Sequence, residues 1–358
     1  MKIFMHYASL FTPFTYKTLH MRNRFVMAPM TRQFSPGGIP TREVGSYYER
    51  RAAGEVGLIL TEGTVINRPG SKNAERIPDF YGDAPLAAWK GVADRVHAAG
   101  GAIAPQIWHV GNTPLTDWRP EGGLEGPASM SVKDIENTIA AFGEAAANAR
   151  ALGFDALELH GAHGYLIDQF FWSVTNTRTD GYGGRTLKER SRFAVEVVKA
   201  VRAAAGEDMT IILRLSQWKG SDYTARLAGS PKELEEWVLP LASAGVDIFH
   251  GSQRRYWEPE FAGSDLNFAG WLKKVTGQPT ITVGSVGLSG ADVLASFKGE
   301  GAGVASLDDL YRRFERGDFD LVAVGRSILQ DPLWVKKLRE ERFTELQAFR
   351  AESMQVLH

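Results

Sequence analysis

A chain of 358 residues, 44% hydrophobic and 23% charged, is long enough to bury a large core and has the make-up of a globular protein. A formal net charge of −1 leaves no global field to draw in nucleic acid or an anionic membrane. The absence of cysteine excludes disulfides, thiolate nucleophiles, zinc–thiolate sites and iron–sulfur clusters.

The first ten residues lack an apolar core and a small-residue cleavage site, and no apolar run approaches the ~20 residues that span a bilayer. The expectation is a cytoplasmic protein without a membrane partner. In chain order, short apolar runs at 25–30, 56–62, 102–108, 154–159, 210–216, 246–250, 280–284 and 321–325 predict eight strands. Several are continuous rather than alternating, as in parallel strands covered on both faces. Helical patterns fill the gaps: 86–99 before Gly100-Gly101, 132–152 before Gly153, 187–205 before Gly206, and 231–244, where Ser230 caps and Pro231 opens. Eightfold strand–helix alternation predicts a closed (β/α)₈ barrel, with an open doubly wound sheet as the alternative. No linker divides the chain, so one domain is expected over 1–358. The Gly-, Pro- and polar-rich stretches 64–85, 110–131 and 252–267 become loops over the barrel mouth.

Polar residues gather where the predicted strands end. The run His160-Gly161-Ala162-His163-Gly164-Tyr165 follows the fourth strand and sends two imidazoles and a phenol from one tip. Two hydrogen-bond donors with a proton donor suit chemistry on a polarised oxygen-bearing group. The bland readings are a structural histidine pair or a metal site. No ligand set such as His-Glu-x-x-His accompanies them, so no metal is expected. Gln106 and Arg214 stand inside apolar strands. Arg214 needs an anionic or strongly polar partner: an interior ion pair with Glu158 or Glu62, or a cofactor that accumulates negative charge. Gly284-Ser285 and Gly325-Arg326 end strands seven and eight, where barrels bind phosphate through backbone N–H groups.

These motifs together resemble the Old Yellow Enzyme family of flavin-dependent ene-reductases, over roughly Leu10 to Trp334. The resemblance rests on Asn23-Arg24-Phe25, Ala28-Pro29-Met30-Thr31-Arg32, Gln106-Ile107-Trp108, the block from His160 to Gln169-Phe170, Asn176-Thr177-Arg178-Thr179-Asp180-Gly181-Tyr182-Gly183-Gly184, Gly284-Ser285 and Gly325-Arg326-Ser327. It implies a TIM barrel holding non-covalent FMN, with NADH or NADPH as hydride donor. By that similarity Pro29, Met30, Thr31 and Gly63 line the flavin ring. Gln106 holds its pyrimidine edge, Arg214 its N1 and O2, and Gly284, Ser285, Gly325 and Arg326 its phosphate. The resemblance further implies that His160 and His163 bind the substrate oxygen, that Tyr165 protonates the α-carbon of an activated alkene, and that Trp108 walls the pocket. Thr31, where the thermophilic-like branch has Cys, points to the classical branch.

The chain departs from the family's pattern at His163, where many members have Asn, and at Arg185 and Glu189, where Ser and Asn are usual. The loop Arg254-Arg255-Tyr256-Trp257 after the sixth strand reads two ways. Tyr256 and Trp257 cap the substrate pocket and the arginines meet the nicotinamide cofactor's phosphates, or the segment is a solvated basic turn. The expected partner is a small activated alkene, with no nucleic acid or membrane, and the assembly is a monomer or homodimer. A flavin-free barrel aldolase or isomerase and a non-catalytic flavin-binding protein are the competing classes.

Overall fold

The computed structural model describes residues 6–115, 117–290 and 292–358. Eight parallel strands close into a barrel: β1 (Phe25–Met27), β2 (Leu58–Val65), β3 (Ala102–Trp108), β4 (Ala156–His163), β5 (Thr210–Lys219), β6 (Ile248–Ser252), β7 (Thr280–Val283) and β8 (Leu321–Val324). The ring is sealed where β8 pairs with both β7 and β1, which removes the open-sheet alternative. All eight expected strands are present. β2, β4 and β5 run further toward the barrel mouth than their apolar runs suggested, because polar residues join the ladder there.

Helices return the chain between strands: α1 (Arg42–Ala53), α2 (Asp83–Ala98), α3 (Val132–Ala151), α4 (Arg192–Ala205), α5 (Pro231–Ala244), α6 (Phe268–Thr276) and α7 (Asp308–Glu315). Their starts are written locally. Thr41, Ser131, Ser230 and Asn267 each accept a backbone N–H of the first turn, and Ser131 with Asp134 forms a full capping box. The helix expected over 187–205 is broken. A short turn Leu187–Arg190 stops at Ser191, whose hydroxyl donates 2.8 Å back to Leu187 O, and Ser191 N reaches Lys188 O and Glu189 O in place of the helical Leu187 O. Glu189, where Asn is usual, accepts the N–H groups of Arg185 and Thr186 at 2.8 Å each and so closes this turn's own capping box.

Inside the barrel, bulky and small side chains interlock: Val26, Leu58, Leu60, Ile212, Ile248, Ile281 and Leu321 against Ala102, Ala104, Ala156 and Ala323. Leu19 and Met21 of an N-terminal hairpin (Phe14–Tyr16 with Leu19–Met21) pack into the same cluster. The core is therefore filled below, and polar side chains are left to the strand ends above. A second hairpin, Leu288–Gly290 with Ala302–Val304, stands between β7 and α7.

Candidate active site

A polar layer crosses the barrel between β3 and β6. Gln106 Nε2 donates to Glu158 Oε1 at 2.7 Å, and His250 Nδ1 lies 2.7 Å from Glu158 Oε2. Burial holds His250 below its ordinary value, so a neutral ring donates to the carboxylate. Arg214 of β5, only 7% exposed, makes no ion pair with Glu158 or Glu62. Both Glu158 oxygens are bonded elsewhere, and Glu62 accepts the backbone N–H groups of Arg32 (2.8 Å) and Gln33 (3.2 Å). Arg214 Nη2 donates to Ser252 Oγ at 3.2 Å, and its Nε is buried without a hydrogen-bond partner among the described residues. A buried guanidinium held by one hydroxyl, with an N–H to spare, calls for an electron-rich ligand.

Above this layer stand the two histidines. They lie within β4 rather than beyond its tip. Three residues apart in a regular strand, their side chains point to opposite faces. The ladder is irregular here: Gly161 pairs with Leu215 but His163 with Lys219. His163 takes φ +66°, a left-handed conformation uncommon outside glycine. The two features turn His163 back, and the imidazole centroids come within 5.1 Å, edge to face. The irregularity is pinned by His163 N donating to Ser216 Oγ (2.9 Å) and by the buried Lys219–Asp168 pair (2.7 Å). Asp168 also accepts Gly164 N at 2.7 Å. Asp168 is thus bound into the turn, and no group of three or more potential metal ligands exists among the described residues.

Tyr165 follows and caps the short helix Leu166–Phe171. Its ring stands 5.0 Å from His160 and 4.7 Å from Trp108, which lies nearly parallel to His160 at 5.9 Å. Burial, and then the nearby Arg214 cation, hold both histidines well below their ordinary value, so both are neutral at pH 7. Burial pushes the Tyr165 phenol up to about 12, so it keeps its proton. Two neutral N–H donors and a phenol acid share one side of the barrel mouth.

Sequence reasoning missed three members of this site. Trp218 stacks on His163 (4.4 Å, 27°), Tyr223 stacks on Trp218 (5.2 Å, 14°), and Ser252 bonds His163 Nε2 at 2.8 Å. The available signal was Trp218 two residues beyond the predicted fifth strand.

The remaining expected residues surround the same mouth. Pro29, Met30 and Thr31 leave β1, with Pro29 and Met30 half-buried and Thr31 exposed, on a turn held by Glu62. Gly63 lies against Trp108, where a Cβ would collide with the indole. Gly284 has φ +136°, and a Cβ there would stand 2.6 Å from Gln253 O. Arg326 donates to Ser285 Oγ (3.2 Å) and Ser296 Oγ (2.8 Å), joining the ends of β7 and β8. The donor set fits FMN: orphaned Arg214 Nε for an electron-rich ring edge, and Ser285 with Arg326 for a phosphate.

Tyr256 and Trp257, expected to cap the pocket, are not brought to the histidines. Tyr256 is 5% exposed; its N–H donates to Gly284 O at 3.1 Å, and Asn267 holds its carbonyl at 2.8 Å. Trp257 lines a groove with Ser285, Leu288, Ala305 and Arg313. Arg254 is paired with Asp292 and Arg255 with Glu258, so neither waits as an open phosphate site.

Comparison with known proteins gives the family. Residues 9–345 match the NADH:flavin oxidoreductase / NADH oxidase family. A chanoclavine-I aldehyde reductase of Penicillium roqueforti is 34% identical over 90% of this chain and 87% of its own, and 12-oxophytodienoate reductase 7 of rice (Oryza sativa subsp. japonica) is 30% identical over 93% and 88%. An NADH oxidase of Thermoanaerobacter brockii is 33% identical over 95% of this chain, which spans about half (52%) of that longer protein. Morphinone reductase in complex with tetrahydroNAD superposes with a TM-score of 0.75 at 28% identity, covering 93% of this chain and 91% of that one. The chain belongs to the NADH:flavin oxidoreductase / NADH oxidase family, the Old Yellow Enzyme family, whose chemistry runs on FMN and NAD(P)H.

Proposed function

We propose that the protein is an FMN-dependent ene-reductase that takes hydride from NADH or NADPH and saturates the C=C bond of an α,β-unsaturated carbonyl compound or nitroalkene. The observation that carries this reading is the pair of neutral imidazoles 5.1 Å apart with a protonated phenol 5.0 Å from His160. FMN, when bound, supplies hydride to the substrate's β-carbon. The protein's residues do the rest. Gln106 and Arg214 hold the ring, and Thr31, Met30, Pro29 and Gly63 line it. Ser285 and Arg326, with the backbone at Gly284 and Gly325, take the phosphate. His160 and His163 donate hydrogen bonds to the carbonyl or nitro oxygen, where negative charge grows during hydride addition. Neutral donors fixed beforehand need no reorganisation when that charge appears. Tyr165 then protonates the α-carbon as a general acid. Trp108 and Trp218 wall the site with flat apolar faces.

The aldolase reading wants a lysine free at the mouth, and Lys219 there is bound by Asp168. No helix among the described residues is long and apolar enough to cross a membrane. The proposal is a small-molecule enzyme of the cytoplasm, monomeric or homodimeric, with neither nucleic acid nor membrane as partner.

The test is anaerobic. NADH or NADPH should bleach the flavin absorbance of the holoenzyme, and cyclohexenone should restore it. Tyr165→Phe should leave the first half-reaction within about twofold and slow the second by ~10²–10⁴. Equal losses in both half-reactions would remove Tyr165 as the proton donor. Bleaching that no activated alkene reverses would leave a flavin-binding protein without this activity.

A further inference from the structure

Two hydrogen bonds decide which nitrogen of each imidazole carries the proton. The backbone N–H of Ala162 points at His160 Nδ1 at 3.3 Å. A backbone amide only donates, so Nδ1 accepts and the neutral ring carries its proton on Nε2.

His163 is governed from a different strand. Its Nε2 lies 2.8 Å from the hydroxyl of Ser252, the last residue of β6. That hydroxyl also accepts Arg214 Nη2–H at 3.2 Å, because a guanidinium has nothing with which to accept. Ser252 is 2% exposed, so leaving its own proton undonated would waste a buried hydrogen bond. Among the described residues its hydroxyl has two partners, Arg214 and His163, and only His163 can accept. The hydroxyl is satisfied on both sides when it donates to Nε2, which places the His163 proton on Nδ1. The ring plane is fixed as well. Trp218 stacks on it, and Trp218 Nε1 donates to Ser252 O at 3.1 Å. Ser252 therefore grips His163 twice, through its hydroxyl and, by way of Trp218, through its carbonyl.

We propose that Ser252 is a positioning residue for the substrate-oxygen clamp: its hydroxyl holds His163 as the Nδ1–H tautomer, opposite to the Nε2–H tautomer of His160, so that each ring keeps one N–H for the oxygen. The same hydroxyl receives Arg214, so the cation assigned to the flavin and one imidazole assigned to the substrate meet on a single oxygen. The arrangement also explains how histidine serves where many members carry Asn: a tautomer locked from behind gives an imidazole one defined donor. The identity of the oxygen ligand rests on the ene-reductase reading, whereas the tautomers do not.

The experiment uses holoenzyme labelled with [¹⁵N]histidine, with resonances assigned through His160→Asn and His163→Asn, and reads two-bond ¹⁵N–¹H correlations. His163 should show a protonated Nδ1 and a bare Nε2, and His160 the reverse. In Ser252→Ala the His163 pattern should shift toward Nε2–H or become mixed, and phenol, the oxygen probe, should bind roughly tenfold more weakly. Ser252→Thr, which keeps the hydroxyl, should restore both. An Nε2-protonated His163 in the unsubstituted protein overturns the proposal. So does an unchanged His163 pattern in Ser252→Ala. Opposite tautomers in a protein that binds no phenol uphold the proposal and count against the ene-reductase reading instead.

Discussion

Trp218 stands near the end of β5 and Trp257 follows the neighbouring β6, yet they have opposite fates. Trp218 stacks on His163 and is pinned by Ser252 O, whereas Trp257 is 37% exposed and lies in a groove beside the second hairpin. The difference lies in the backbone that follows each strand. β5 runs on to Lys219 and keeps its side chains over the mouth. β6 stops at Ser252, and the segment beyond it is held through Tyr256 by Gly284 and Asn267. An aromatic residue's usefulness at a site is set by the ladder it leaves, not by its nearness to a strand end. The two segments are tied together by Gln217, which donates to Glu260 Oε1 at 3.0 Å.

The contrast can be broken in four places. The largest effect belongs to Tyr256→Ala, which empties a buried site and should cost roughly 3–5 kcal/mol of stability by chemical denaturation. The folded fraction should still bind phenol within about twofold, and a selective loss of phenol binding would return Tyr256 to the pocket. Next is the tie itself. Burial pushes Glu260 from its ordinary 4.5 up to about 7. Between those values the folded protein keeps a proton that the unfolded chain has released, so this group's contribution to stability is lost as pH rises through the window. The fall should be at most about 3 kcal/mol from this residue, and Glu260→Gln should remove it, so that the variant gains stability relative to the unsubstituted protein as pH rises through the window. Glu62, also pushed to about 7 by burial, contributes in the same direction in both proteins. The buried histidines, held below their ordinary 6.5, pull the other way over part of this window, so the test is the difference between Glu260→Gln and the unsubstituted protein: an identical pH dependence in the two would contradict the Glu260 shift.

Third, Trp218→Ala removes the ring that fixes His163 and should weaken phenol binding by about 1 kcal/mol, roughly fivefold. Unaltered binding would make the stack incidental. Trp257→Ala should have the smallest effect, within about 0.5 kcal/mol on stability and no measurable change in phenol affinity. A clear rise in the phenol dissociation constant would reinstate the pocket cap.

Much was legible in the linear chain because it is encoded locally. Eight short apolar runs announce the strands, and Ser230 with Pro231 marks a helix start, the serine through a bond to its own first turn and the proline through its fixed backbone. The run from His160 to Tyr165 announced chemistry because its residue types crowd one tip. What stayed hidden depends on partners far away in sequence. The register shift against β5 and the +66° φ put His163 on the same side as His160, which alternation along an isolated strand does not foresee. Arg214 was visible as a buried cation, but only packing shows that Glu158 is satisfied by Gln106 and His250, leaving Nε for another partner. Ser252, an ordinary serine 89 residues from His163, becomes part of the site only when β6 closes beside β5. Composition and pattern determined the strand–helix alternation and the chemical types at the strand ends, because burial and capping act over a few residues. The tertiary structure decided which nitrogen, which tryptophan and which hydroxyl meet there, because hydrogen bonds and ring stacking act only between groups that the fold has already brought within a few ångströms.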